Sequence, residues 1–203
     1  MLLHERLKDW RVILGSGSPR RQDLLKGLDI PFTIEYNPHV EEQINPTLPP
    51  QAVPEALARQ KSHAFLRPLA SDELLITADT LVYCRGQILG KPHSREEAMQ
   101  MLQCLSGQTH TVWTGVFLRT DRSSHSFTAA TEVAFALLSE KEIAYYVDRY
   151  KPYDKAGAYG AQDWIGYIGI ERIQGSYFNV MGLPVHLLYT HLEDFLKEYR
   201  KKC

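Results

Sequence analysis

The run Leu74-Leu75-Ile76-Thr77-Ala78 leaves little choice of architecture, because a strand that apolar has to be covered on both faces. It predicts a central strand of a sheet with helices packed on either side. The run ends at Asp79-Thr80 and resumes in Leu81-Val82-Tyr83-Cys84. A carboxylate at the end of a buried run is costly unless it is paired, hydrogen-bonded or metal-bound. In open α/β sheets the strand ends are also where ligands bind. Asp79 is therefore the first candidate for chemistry, against the plainer reading of an aspartate capping a turn.

A second run, Val12-Ile13-Leu14, leads into Ser16-Gly17-Ser18-Pro19-Arg20-Arg21. It predicts a strand over 12–16 and a helix over 18–28, with Pro19 in the first turn. A strand that opens into such a turn and then a helix makes an anion site from backbone N–H groups, hydroxyl donors and two guanidiniums. Ser16, Ser18, Arg20 and Arg21 are its members.

Further along, Phe32 to Tyr36 alternates like a strand, and the proline-rich stretch 38–54 predicts a long loop. Apolar spacing predicts a helix over 54–69 carrying Lys61. Arg85-Gly86-Gln87 predicts a hairpin turn. Ser94 caps an amphipathic helix that ends before Gly107, and residues 109–120 and 126–138 form a hairpin. Ser139 with Glu142 is a capping box. Short strands are expected around 167–173 and 176–181, and a last helix from Pro184 to Tyr199. Helices alternating with strands, plus a hairpin, indicate α/β in a single domain of 203 residues.

The net charge of −1 gives no global field for a nucleic-acid polymer, so any phosphate affinity has to be local. No apolar run is long enough to span a membrane, and charged residues break up the N-terminus as a signal peptide. Cys84, Cys104 and Cys203 lack metal or disulfide spacing and read as reduced thiols of a cytoplasmic protein. The eight histidines show no paired ligand motif and read as structural or surface residues. P-loop, dinucleotide-fold and nucleophile-elbow motifs are absent.

Four more residue groups have the right chemistry for a phosphate substrate. Lys61, Lys91 in Gly90-Lys91-Pro92, and Lys155 would balance a triphosphate together with Arg20 and Arg21, although a single lysine is more often a solvated charge. Glu41-Glu42, alone a solvated pair, could join Asp79 around Mg²⁺, which takes one or two carboxylates with waters and substrate phosphates.

In this order the residues resemble the Maf family of nucleoside triphosphate pyrophosphatases, from Val12 to about Leu196. The landmarks are Ser16 to Arg21, Val40-Glu41-Glu42, Lys61, Ala78-Asp79-Thr80, Gly90-Lys91-Pro92, Leu105 to His110, Asp154 to Gly160 and Gly182-Leu183-Pro184. Each is weak alone; eight in order are specific. The resemblance implies an elongated mixed sheet flanked by helices, with two lobes around a nucleotide cleft, as in inosine triphosphatases. It implies hydrolysis of a nucleoside triphosphate to the monophosphate and pyrophosphate, with Asp79 as proton acceptor. It also implies a divalent cation, Mg²⁺ or Mn²⁺, at Glu42 and Asp79, and a homodimer. Ser16, Ser18, Arg20, Arg21, Lys61 and Lys91 would hold phosphates.

Asp154 to Gly160 with Gln162 looks like the subgroup acting on dTTP and UTP, whose specificity positions fall on Arg20, Thr80 and Gln162. The Gln162 amide can accept from a pyrimidine N3–H and donate to a ring carbonyl. Two residues depart from the family pattern Gly-Ile-Gln-Gly. Asp163 replaces a glycine, with added strain wherever the backbone takes a positive φ, and Ala161 is smaller than isoleucine, loosening the packing behind Gln162. Gly15 stands where alanine is frequent, a change expected to be harmless. The alternatives are another base preference, such as methylated guanine nucleotides, or a non-catalytic nucleotide-binding regulator of cell division.

Overall fold

In the computed structural model β1 (Arg11–Leu14) is flanked by two parallel neighbours. β2 (Phe32–Ile34) pairs Val12 with Phe32, and β3 (Glu73–Cys84) pairs Leu14 with Ile76. Gly15 N extends the second ladder by donating to the Ile76 carbonyl at 2.8 Å. The structure describes residues 2–202, with side chains for residues 2–199, so Cys203 lies outside the described residues.

The remaining strands are β4 (Gln87–Leu89), β5 (Thr109–Arg119), β6 (Ser124–Phe135) and β7 (Ile170–Gln174). The seven-stranded sheet has the order β2-β1-β3-β5-β6-β7, with β4 antiparallel on β3 and β7 antiparallel on β6. It is flanked by helices, as the buried run of β3 requires. These are α1 (Leu3–Arg6), α2 (Pro19–Lys26), α3 (Val53–His63), α4 (Arg95–Leu105), α5 (Glu140–Tyr150), α6 (Trp164–Gly169), α7 (Tyr177–Met181) and α8 (Val185–Lys202). Among the described residues no helix is long and apolar enough to cross a membrane.

The chain forms two compact units. The first takes residues 2–79, 114–129 and 182–202; the second takes residues 80–113 and 130–181. Leu14, Leu25, Ala58, Leu75, Ile76, Val116, Leu188 and Leu192 are fully buried in the first. The second is built on Val82, Leu102, Leu105, Val133, Ile143, Tyr146 and Ile165.

Local signals hold where capping and turn chemistry agree. Ser94 Oγ accepts from Glu97 N at 3.1 Å, and Ser139 with Glu142 closes a capping box at the start of α5. Arg85 and Gly86, at φ 50° and 82°, make the two-residue turn between Cys84 and Gln87. Three expectations change. Asp79 lies inside β3 and not at a strand end, because the strand runs straight through Asp79 and Thr80 into the apolar residues 81–84 that continue it. α3 stops at His63, ahead of Pro68, whose ring disfavours helix at the residue before it. The strands expected around 167–173 and 176–181 are mostly helix: only Ile170–Gln174 is strand. Asp163 O accepts from Gly166 N at 2.9 Å to start α6, and Ser176 Oγ accepts from Asn179 N at 3.3 Å to start α7. These local hydrogen bonds outweigh the β-propensity of Tyr, Ile and Phe.

His110 is enclosed in the core of the second unit. Its Nε2 lies 2.7 Å from the Tyr159 hydroxyl, and Phe135 and Tyr159 pack edge-on against the ring. Burial pushes its pKa from 6.5 down to about 4. The unfolded chain therefore takes up this proton near pH 6.5, and the folded chain only near pH 4. Stability is expected to be level above that window and to fall by about 3 kcal/mol as pH drops through it. Urea melts of wild type and His110→Gln across the window check this: the variant should lose that slope, and an unchanged slope contradicts it.

Candidate functional site

Three neighbouring elements of the first unit bring charged side chains together. Lys61 sits in the last turn of α3, Asp79 at the end of the first unit's stretch of β3, and Glu42 in the segment before α3. The Lys61 ammonium donates to Asp79 Oδ1 and lies 2.8 Å from Glu42 Oε1. Asp79 is only 9% exposed, so its charge is held among protein groups and not in bulk water.

The α3 helix reaches this position through specific contacts. Thr77 Oγ1 donates to the Ala58 carbonyl at 2.7 Å. Ser126 and Thr128 hydroxyls donate to the Glu55 carboxylate at 2.7 and 3.2 Å. Gly115 on β5 lies so close to the start of α3 that an added Cβ would stand 2.2 Å from Glu55 N. A glycine in a strand interior often marks such an approach.

The turn ahead of α2 gathers hydroxyl and guanidinium groups of the first unit. Ser16 is buried, and its Oγ accepts from Ser18 N at 3.3 Å and from Arg21 Nη1 at 3.4 Å. Arg21 Nε donates to the Gly182 carbonyl at 2.8 Å, which ties the turn to the residues before α8. Burial lowers the Arg21 pKa from its ordinary value, while the Asp79 and Glu42 carboxylates oppose that shift. Ser18 is the N-cap of α2 and its side chain makes no capping bond; Arg20 and Arg21 lie in the first turn. A Cβ on Gly17 would meet the Tyr36 ring at 2.5 Å, so Tyr36 packs over the turn. Gly15 is not interchangeable with alanine here: an added Cβ would stand 2.6 Å from Thr77 Cγ2. That side chain is already fixed by its bond to Ala58, so this close approach suits the glycine present.

Glu42 and Asp79 share one cation, the Lys61 ammonium. Two hard carboxylates at one cationic position are the donor set that Mg²⁺ or Mn²⁺ takes with waters and phosphate oxygens, so these residues fit such an ion. Among the described residues no group of three or more His, Cys, Asp or Glu side chains forms a metal site. A cation here would complete its shell from outside the protein.

The second unit holds Thr80, Lys91 and Gln162. Lys91 is exposed, in a segment fixed by the bond from Gly157 N to the Gly90 carbonyl at 2.9 Å. Lys155 Nζ lies 2.8 Å from Asp154 Oδ1 and 3.7 Å from Asp163 Oδ2, so carboxylates already balance its charge. Gln162 Oε1 is buried with no hydrogen-bond partner among the described residues. A buried acceptor without a donor costs about 1–3 kcal/mol. Asp163 has φ −85°, in ordinary extended backbone, and the strain expected of a positive φ does not arise. Ala161 is buried, and its backbone carbonyl would lie 2.0 Å from a Cβ on Gly166, so the backbone of this turn packs closely on α6 at that glycine.

Sequence reasoning missed Glu55, Tyr36, Gly115 and Tyr146. The glycine within a β-rich run was the available signal for one of them. Tyr146 reads as core, yet a buried phenol has to find a partner.

The family model described as Maf-like protein matches residues 11–195. A relative from Porphyromonas gingivalis, named dTTP/UTP pyrophosphatase, is 52% identical over 94% of this chain and 97% of its own length. Relatives of the same name from Phocaeicola vulgatus and Bacteroides thetaiotaomicron are 51% and 49% identical, over 93% and 92% of this chain and 98% and 97% of their own lengths. Among solved structures, that of a HAM1 protein from Coxiella burnetii is similar at TM-score 0.44 and 14% identity, over 91% of this chain and 99% of that one.

Proposed function

The chain belongs to the Maf-like protein family, and we infer that it is a nucleoside triphosphate pyrophosphatase that hydrolyses dTTP and UTP to the monophosphate and pyrophosphate. The observation that carries the chemistry is the cluster of Asp79, Glu42 and Lys61 with Arg21 close enough to sense both carboxylates. Hydrolysis at the α-phosphorus needs a positioned water, a base for its proton, and neutralisation of the charge on the leaving pyrophosphate.

In this reading Asp79 accepts the proton of the attacking water. Lys61 holds the Asp79 carboxylate in place and offers its remaining N–H to a phosphate oxygen. Ser16, Ser18, Arg20, Arg21 and Lys91 bind the phosphate chain, mostly through position and charge. Glu42 and Asp79 would hold a divalent cation. When bound, that ion supplies charge neutralisation for the triphosphate. Arg20, Thr80 and Gln162 read the base, and the buried, unpartnered Gln162 Oε1 supports this assignment because uracil and thymine offer it an N3–H while cytosine does not. A homodimer and a cytoplasmic location complete the reading.

Pyrophosphate release from a panel of nucleoside triphosphates, with Mg²⁺ and then with Mn²⁺, tests it. dTTP and UTP are expected to lead the panel. Gln162→Ala is expected to lower the preference for dTTP over dCTP by about 100-fold, since mismatched hydrogen bonding is what separates the bases. An unchanged order of nucleotides in the variant would remove Gln162 from base recognition.

A further inference from the structure

We propose that Asp163 and Tyr146 are positioning residues for Gln162, clamping the turn that carries it so that its amide stands ready for the base. The proposal rests on the reading of Gln162 as a base-recognition residue.

Residues 160–163 form a tight turn, with Asp163 N donating to the Gly160 carbonyl at 3.0 Å. Ala161 and Gln162 occupy its two central positions. One side chain holds both ends: the Tyr146 hydroxyl accepts from Gly160 N at 3.1 Å and donates to Asp163 Oδ2 at 2.7 Å. Tyr146 is fully buried on α5 and stacks on Tyr150 at 5.0 Å, so the hydroxyl belongs to a fixed ring.

The surroundings leave the turn little freedom. A Cβ on Gly160 would stand 2.6 Å from Asp163 Oδ2, so the carboxylate fills the space over that glycine. Ala161 is pressed against Gly166 in α6. Asp163 also starts α6 through its carbonyl, and its carboxylate faces the Lys155 ammonium at 3.7 Å. A glycine at position 163 would have no side chain to accept from Tyr146. The Asp163 carboxylate thus adds a hydrogen bond next to Gln162. Pre-set geometry of this kind raises discrimination because the amide need not be ordered by the substrate.

The test measures kcat and KM for dTTP and dCTP in wild type, Asp163→Ala, Asp163→Asn, Tyr146→Phe and Gln162→Ala, with melting temperatures recorded. Asp163→Ala and Tyr146→Phe are each expected to lower the ratio of kcat/KM for dTTP over dCTP by about tenfold, chiefly through KM for dTTP. Asp163→Asn keeps an oxygen acceptor for the Tyr146 hydroxyl and should restore the ratio to within about twofold of wild type. A general loss of structure would instead lower both nucleotides together and would not be rescued by asparagine. Should Asp163→Ala fail to fold, Tyr146→Phe carries the comparison, because it keeps the ring in the core. If Gln162→Ala lowers the ratio and neither Asp163→Ala nor Tyr146→Phe does, the positioning role is wrong and the reading of Gln162 stands. If Gln162→Ala itself leaves the ratio unchanged, the reading and this proposal fall together.

Discussion

Asp79→Asn is expected to lower kcat for pyrophosphate release by about 1,000-fold while leaving the fold intact, in the range typical of a lost general base. The amide has the same shape as the carboxylate and can still accept from Lys61, and Lys61 retains its contact with Glu42. What disappears is the group proposed to take the proton from water, together with one of the two carboxylates proposed to hold a cation. Steady-state turnover of dTTP alongside a thermal melt separates the two effects. A melt close to wild type with turnover within tenfold of it would take the proton-acceptor role away from Asp79.

Gly115→Ala is expected to be the most damaging substitution outside the charged cluster. An added Cβ would stand 2.2 Å from Glu55 N and 2.4 Å from Glu55 Cα, and backbone cannot swing aside as a side-chain tip can. The start of α3 has to move away from β5, against the bonds from Ser126, Thr128 and Thr77 that hold it. Overpacking of this kind costs about 3 kcal/mol, or roughly 6–12 °C in melting temperature for a chain of this size. Lys61 rides on the same helix, so turnover should fall as well, by about 100-fold for a displacement near 1 Å. A melt and a dTTP assay on the purified variant check both. Wild-type stability would mean that α3 is not seated on Gly115.

The sequence showed the central strand because a run such as Leu74–Ala78 has only one economical place in a fold. It showed helix starts where the caps are local, at Ser94 and Ser139, because those bonds lie within four residues. It did not show α6 and α7, where Tyr, Ile and Phe suggest strand and the deciding bonds come from Asp163 and Ser176. The candidate site was legible as chemistry and not as geometry. Glu42, Lys61 and Asp79 could each be chosen by type, but nothing in their spacing says that one ammonium meets both carboxylates. The bond between Tyr146 and Asp163 was hidden for the same reason, since a tyrosine in an apolar helical stripe looks like core until its hydroxyl is traced.

The central claim is that water attacks the α-phosphorus. Turnover of dTTP in ¹⁸O-enriched water, with mass analysis of the products, tests it most directly. One ¹⁸O atom in the phosphate of dTMP and none in the pyrophosphate is the predicted result. Label in the pyrophosphate, or release of orthophosphate with dTDP, would contradict it.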